Sequence, residues 1–252
     1  MRLTPAVLMF CLSAVSAQAG NITLNADNQV EYHQKEQKLV ASGNAVAAKD
    51  DMTIKADKLI GFYAPSAPNK ISRIEALKDV VLTTPETQAS GNSLIYSVDT
   101  DSAVLKGEPA RIKTTDADIT AKGSITYYQS EQKAVAVDNV TAVDTKGNKV
   151  RADLMTAWFT KDADNKLTLD KIDIEKNLKI TAQNADITAV KGTYFARTGK
   201  IKLFEDVVIN QNGNILKGDT AEADLNTGIS KILSGAKSGR VSGVFKEKKK
   251  KD

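Results

Sequence analysis

The side chains able to do covalent or metal chemistry are few and scattered. His33 is the only histidine. It lies in the polar run from His33 to Lys38, where a solvated turn residue is expected rather than a general base. No Ser-His-Asp or Cys-His set can be assembled. The single cysteine, Cys11, sits in an apolar amino-terminal run. Carboxylates fall in turns, and no two stand out as the acid and base of a glycosidase. Asp162-Ala-Asp164-Asn165 has the alternating acids of a calcium loop. Lys166 then occupies a ligand position and Leu167 the place where glycine is required, so a hairpin tip is expected. There is no glycine-rich phosphate loop. These residues argue against an enzyme and call for no cofactor or metal.

The pattern lies in the apolar residues, and the chemistry it suits is the sheltering of a greasy ligand. An alanine is followed six residues later by an aromatic: Ala26 to Tyr32, Ala56 to Phe62, Ala121 to Tyr127, Ala152 to Trp158 and Ala189 to Phe195. Ser90 leads to Tyr96 in the same phase, and a degenerate copy runs from Asp219 to Leu225. The steps between anchors are 30, 34, 31, 31, 37 and 30 residues. Such a period signals a stack of one small unit.

In a strand, an even spacing keeps side chains on one face. Four residues after the anchor come Val30, Ile60, Leu94, Ile125, Thr156, Thr193 and Ala223; two before it come Leu24, Ile54, Gln88, Ile119, Val150, Ile187 and Lys217. The opposite face opens with Asp27, Asp57, Gly91, Lys122 and Asp153. One apolar face in alternation argues for half-buried strands. The residues expected to line a lipid-binding interior are therefore Leu24, Val30, Tyr32, Ile54, Ile60, Phe62, Ile119, Ile125, Tyr127, Val150, Trp158, Ile187 and Phe195. Tyr63, Tyr128, Phe159 and Tyr194 stand one position off the aromatic column. The inward positions are medium or small. Either the two sheets close tightly or space remains for an acyl chain. A dozen exposed methylenes cost on the order of 9 kcal/mol in water.

After each aromatic comes turn chemistry, with a longer loop expected over residues 64–69. A second strand follows with apolar pairs two apart: Leu39/Ala41, Ile74/Ala76, Ala103/Leu105, Ala134/Ala136, Ile172/Ile174 and Ile201/Leu203. Three residues past each pair a polar corner is expected, at Asn44, Asp79, Glu108, Asn139, Asn177 and Asp206. Each unit thus reads as strand, turn, strand, corner. One hairpin is not stable alone in water, so about seven must bury their apolar faces against one another.

The ends set the compartment. Arg2, the apolar run from Ala6 to Ala17 and the small-x-small site Ala17-Gln18-Ala19 read as a secretory signal over residues 1–19. Cutting there would remove Cys11. Residues 20–245 form the expected folded body. The tail 246–252 holds five lysines against Glu247 and Asp252, net +3, and is expected to be disordered. Arg2 supplies another charge, so of the chain's net +4 none belongs to the body. That argues against a nucleic-acid footprint.

The stretches Ile54-Lys-Ala-Asp57, Val150-Arg-Ala-Asp153, Leu39-Val-Ala-Ser-Gly43-Asn44 and Leu203-Phe-Glu-Asp-Val-Val-Ile209 resemble the repeats of the OstA-like family of periplasmic lipopolysaccharide transport proteins, the LptA type. The resemblance runs from about Ile22 to Phe245; among the expected corners, Gly-Asn is intact only at Gly43-Asn44. It implies an all-β, semi-open β-jellyroll that shelters the lipid A acyl chains of lipopolysaccharide. It also implies a periplasmic bridge, with an LptC-like inner-membrane partner, an LptD-like outer-membrane partner and end-to-end self-association. Unpaired strands at each end of a stack would serve such assembly. Three readings stay open beside it: an LptC-like protein that keeps a membrane anchor, a secreted parallel β-helix acting on polysaccharide, and a structural filament.

Overall fold

A computed structural model describes residues 22–65, 67–163, 165–183, 185–224, 229–234 and 241–245. The expected signal segment and lysine tail lie outside them. Among the described residues the protein is all-β apart from one 3-10 turn at Gln34–Glu36. The strands are β1 (Thr23–Asn25), β2 (Gln29–His33), β3 (Lys38–Lys49), β4 (Met52–Ala64), β5 (Ala67–Thr83) and β6 (Thr87–Ser97). They continue with β7 (Ser102–Lys106), β8 (Ala110–Thr114), β9 (Ala117–Ala121), β10 (Ser124–Tyr128), β11 (Lys133–Asp144) and β12 (Lys149–Lys161). The last six are β13 (Leu167–Ala182), β14 (Ala185–Phe195), β15 (Lys200–Gln211), β16 (Asn214–Asp224), β17 (Ile229–Leu233) and β18 (Ser242–Val244).

Every pairing is antiparallel, and most join strands that follow one another in sequence. A parallel β-helix is thereby excluded. The long strands bend in the middle, so that one sheet becomes two facing layers. The division is plainest where strands split. The two halves of β6 pair separately with β7 and β8, and those of β11 with β10 and β9. The result is a semi-open β-jellyroll: closed along the corner, with a mouth between the tips of the two layers. The loop expected over residues 64–69 is instead a short connection between β4 and β5, whose extra residues are absorbed by register shifts at Tyr63.

The corner has a local cause. Gly43/Asn44, Lys78/Asp79, Asp138/Asn139, Lys176/Asn177 and Glu205/Asp206 all have positive φ. Two left-handed residues in a row swing the chain from one layer to the other, and Gly, Asn and Asp tolerate that conformation best. The expected corner residues therefore sit at corners. Glu108 also lies between the layers, but in the break between the separate strands β7 and β8 rather than at a left-handed pair. The corners also explain the repeated Ala-Asp pairs and the Gly43-Asn44 pair. Asn44 Nδ2 donates to Asp27 at 2.7 Å, and Asn177 Nδ2 donates to Asp153 at 2.7 Å. Each acid following a repeat alanine thus holds the next corner.

The core is the strip where the layers meet. Cross-strand neighbours Ala41, Leu59, Ala76, Leu94, Leu105, Ile125 and Ala136 form a continuous buried row in the first layer. Ile54, Leu82, Ala89 and Ile112 face them from the second. β1 and β2 pair only with β3, and β17 and β18 only with β16, which leaves open edges at both ends.

Candidate functional site

The corner changes the phase of the repeat, and this decides which residues reach the interior. In β4 the inward side chains are Ile54 and Ala56, then Leu59; the register shifts between Lys55 and Lys58. One residue is absorbed at the bend, as at a β-bulge. Ile60 and Phe62 consequently face outward, where Phe62 pairs with Lys38 and Arg73. The same odd step occurs in β12, where Ala152 is followed inward by Met155, Ala157 and Phe159. In β14 Ala189 is followed by Gly192 and Tyr194. So Trp158 and Phe195 also face outward. The expectation that anchor and aromatic share a face fails in these three strands, and likewise in β6, where Ser90 faces outward and Tyr96 inward.

It holds where the chain breaks between layers instead of bending. Ala121 ends β9, and Ile125 and Tyr127 on β10 are buried inward. Ile54, Ile119, Val150 and Ile187 also sit on the inner face, packed in or against the core. Leu24 packs against the core from β1. Val30 and Tyr32 lie opposite Ala41 and Leu39 in the inward row, yet they are 50% and 58% exposed because no strand follows β2. All six apolar pairs expected on the second strands lie on inward rows.

Between the layers of the carboxy-terminal half lies a cleft of about 240 Å³. Met155, Ile172, Ile174, Tyr194, Ile201 and Ala223 line it from the first layer; Ala142, Val150, Ile180, Ile187 and Ile209 from the second. Ala117, Ala182 and Ala185 leave room at the lip, and Asp144, Asn148, Gln211 and Asp224 make it polar. Asp144 is held by its own turn: its carboxylate accepts from the Lys146 and Asn148 amides at 2.9 Å and from Asn148 Nδ2 at 2.7 Å. Burial pushes the Tyr194 hydroxyl up to about 12, so it is neutral in the cleft wall. An apolar channel with a polar lip can hold an acyl chain and leave a polar head in water. Even spacing misses Met155, Phe159 and Tyr194. The second-strand pair Ile172/Ile174, which faces them, is the signal that finds the true phase.

The outward rings form a surface ladder. Trp158 stands between Lys133 and Lys171, whose ammonium groups lie 5.6 and 5.3 Å from its ring centroids. Its Nε1 donates to Asp173 at 2.8 Å. Burial pushes the Asp173 carboxyl up, but hydrogen bonds from Lys171, Thr193 and Trp158 outweigh it and hold the acid below its ordinary range. Arg73 covers Phe62 at 5.9 Å and Lys202 covers Phe195 at 5.8 Å. These are cation–π contacts at a sheet surface.

One ion pair joins the tips of the two layers. Lys166, in the β12–β13 turn, donates to Glu86, in the β5–β6 turn, at 3.2 Å. The rest of the β12–β13 turn is a hairpin tip, with Lys166 N donating to Asp162 Oδ1 at 2.9 Å. Among the described residues no cluster of histidine, cysteine and acids could hold a metal. His33 contacts Glu31 at 2.9 Å at the surface.

A family model described as LptA/(LptD N-terminal domain) LPS transport protein matches the chain twice, over residues 23–133 and 118–229. No curated protein sequence matches it. Among solved structures, the chain is similar to LptH, the LptA homologous periplasmic component of the lipopolysaccharide transport device from Pseudomonas aeruginosa. That match has 11% identity and a TM-score of 0.24, and covers 90% of this chain and 96% of the other.

Proposed function

Because this chain belongs to the LptA/LptD amino-terminal-domain family of lipopolysaccharide transport proteins, we propose that it carries lipopolysaccharide with the lipid A acyl chains held in the cleft between its layers. The observation that supports this reading is the cleft itself, apolar along both walls and open at the mouth. Hiding methylenes there offsets about 0.8 kcal/mol for each group removed from water. The binding residues are then Val150, Met155, Ile172, Ile174, Ile187 and Tyr194. Ile54, Ile119, Ile125 and Tyr127 extend the same lining into the filled half, and Leu24, Val30 and Tyr32 extend it to the amino-terminal end. Ile60, Phe62, Trp158 and Phe195 are left out because they face away.

The bridge follows from the ends. Val30 and Tyr32 at one end, and Leu233, Val244 and Phe245 at the other, are large apolar side chains left exposed on or beside edge strands. Strand addition there by an LptC-like partner, an LptD-like partner or a second copy of this chain would extend both walls of the cleft. The signal-like residues 1–19 support a periplasmic location. An LptC-like anchored protein would keep that segment, and the mature amino terminus separates the two.

The test is to extract lipid from protein purified without detergent and identify it by mass spectrometry. Lipid A fatty acids in the extract, or saturable uptake of added lipopolysaccharide, are expected. Protein that carries none and takes up none overturns the proposal.

A further inference from the structure

We infer that the outer face of the second layer carries a subsite for the phosphorylated saccharide head of an amphiphile whose tails lie in the cleft; this rests on the acyl-binding reading above. A second cavity, of about 390 Å³, lies on the solvent side of that layer. It is many times the roughly 30 Å³ share of one water molecule, and so larger than a lone ion needs. Val143 lines both this depression and the inner cleft. The two cavities thus meet around the lip at β11, and a molecule with its tails inside can fold its head over Val143 onto the outer face.

The chemistry of the depression suits a sugar. Ser90, Thr120 and Thr141 present hydroxyls along one cross-strand row, with Arg111 among them. Arg111 Nε donates to Asp118 Oδ1 at 2.8 Å, and a terminal guanidinium nitrogen donates to the other oxygen. That fork uses two of the five guanidinium N–H donors and fixes the plane of the rest. The same hydrogen bond pulls the Asp118 carboxyl below its ordinary range, keeping it an acceptor.

The surroundings suit a phosphate. Lys149 lies opposite Val143, and Arg151 opposite Thr141; Lys179 in turn lies opposite Arg151. Among the described residues none of these three cations is in an ion pair. Like charges placed opposite each other on a sheet destabilise it, and a bound anion would relieve that. From β8 to β13 this face carries Arg111, Lys113, Lys149, Arg151 and Lys179 against Asp118 and, at the corner beside Asn177, Asp153. The folded body as a whole is neutral, so positive charge is concentrated beside the depression.

The experiment titrates the full protein with three probes: diphosphoryl lipid A, the same lipid dephosphorylated, and soluble glucosamine 1-phosphate. Wild type is expected to bind the diphosphoryl lipid at least tenfold tighter than the dephosphorylated one, and glucosamine 1-phosphate only weakly. In the double variant Lys149→Gln/Arg151→Gln that preference should vanish, with the dephosphorylated lipid bound as before and strand content unchanged by circular dichroism. Thr141→Val should give a smaller loss of the same kind. A wild type without preference, or a double variant that keeps it, overturns the subsite while leaving the acyl cleft standing. Tight binding of glucosamine 1-phosphate overturns the link between head and tails. A wild type that binds neither lipid overturns the cleft reading, and the subsite with it.

Discussion

The two halves of the jellyroll share one repeat, one pairing scheme and one kind of corner, yet one is filled and the other hollow. Along β5 to β10, Leu82, Ala89, Leu94, Leu105, Ile112, Ile125 and Tyr127 are almost completely buried. Rings occupy the mouth side: Tyr96, Tyr127 and Phe159 lie on inward rows, with Tyr127 and Phe159 edge to face at 6.4 Å. From β13 to β17 the same rows continue as Ile172, Tyr194, Ile201, Ala223 and Ser230, opposed by Ala142, Val150 and Ile187. Fewer inward rings leave the cleft. The Lys166–Glu86 pair clasps the mouth between the tips of β5–β6 and β12–β13. The difference teaches that close packing and open space between the layers are carried by different repeats. In the proposed function the filled half anchors the stack, and the hollow half takes up lipid without unfolding.

The largest test of this division is Leu105→Ala. It creates a cavity in the filled half and should cost about 3 kcal/mol in a denaturant melt. Ile187→Ala, on the half-buried cleft wall, should cost only about 1 kcal/mol while weakening lipopolysaccharide retention. Equal costs at the two sites would erase the distinction. Filling the cleft should do the reverse of emptying the core: Ala142→Phe is expected to lower retention at least tenfold, about 1.4 kcal/mol of binding, with the midpoint of unfolding nearly unchanged.

A pH titration reads the cleft wall itself. Folded Tyr194 ionises at about 12, above the ordinary tyrosine value of about 10. The neutral form is favoured by folding, so this contribution is complete below about pH 10 and is lost as pH rises toward 12. Wild type should lose about 1–2 kcal/mol more than Tyr194→Phe across that window. The smallest effect is at the clasp. Lys166 and Glu86 are both about half exposed, so Lys166→Gln should change stability by at most about 0.5 kcal/mol. It should speed lipid release in stopped-flow if the clasp bounds the cleft.

Much of this was legible in the residues. The period, the antiparallel hairpins, the second-strand pairs and the polar corners follow from alternation and turn chemistry, which are local. The facing of the aromatic column was not. A strand that bends at a corner absorbs a residue, and whether it does depends on its neighbours' register rather than on its own sequence. β9 and β10 break apart with Lys122 and Gly123 between them, and keep the phase. β4, β12 and β14 bend continuously and lose it. Phe159 and Tyr194, one place off the column, are the rings that face in. The cleft was legible only as an alternative to tight closure, because its volume depends on how rows from distant strands oppose one another across two layers.

Tyr194 and Phe195 are adjacent in the chain and face opposite ways, one into the cleft and one beneath Lys202 at the surface. A photo-crosslinking residue placed at each position in turn tests the central claim most directly. Capture of lipopolysaccharide from position 194 and not from 195 is expected; equal capture at both, or capture from 195 alone, would contradict it.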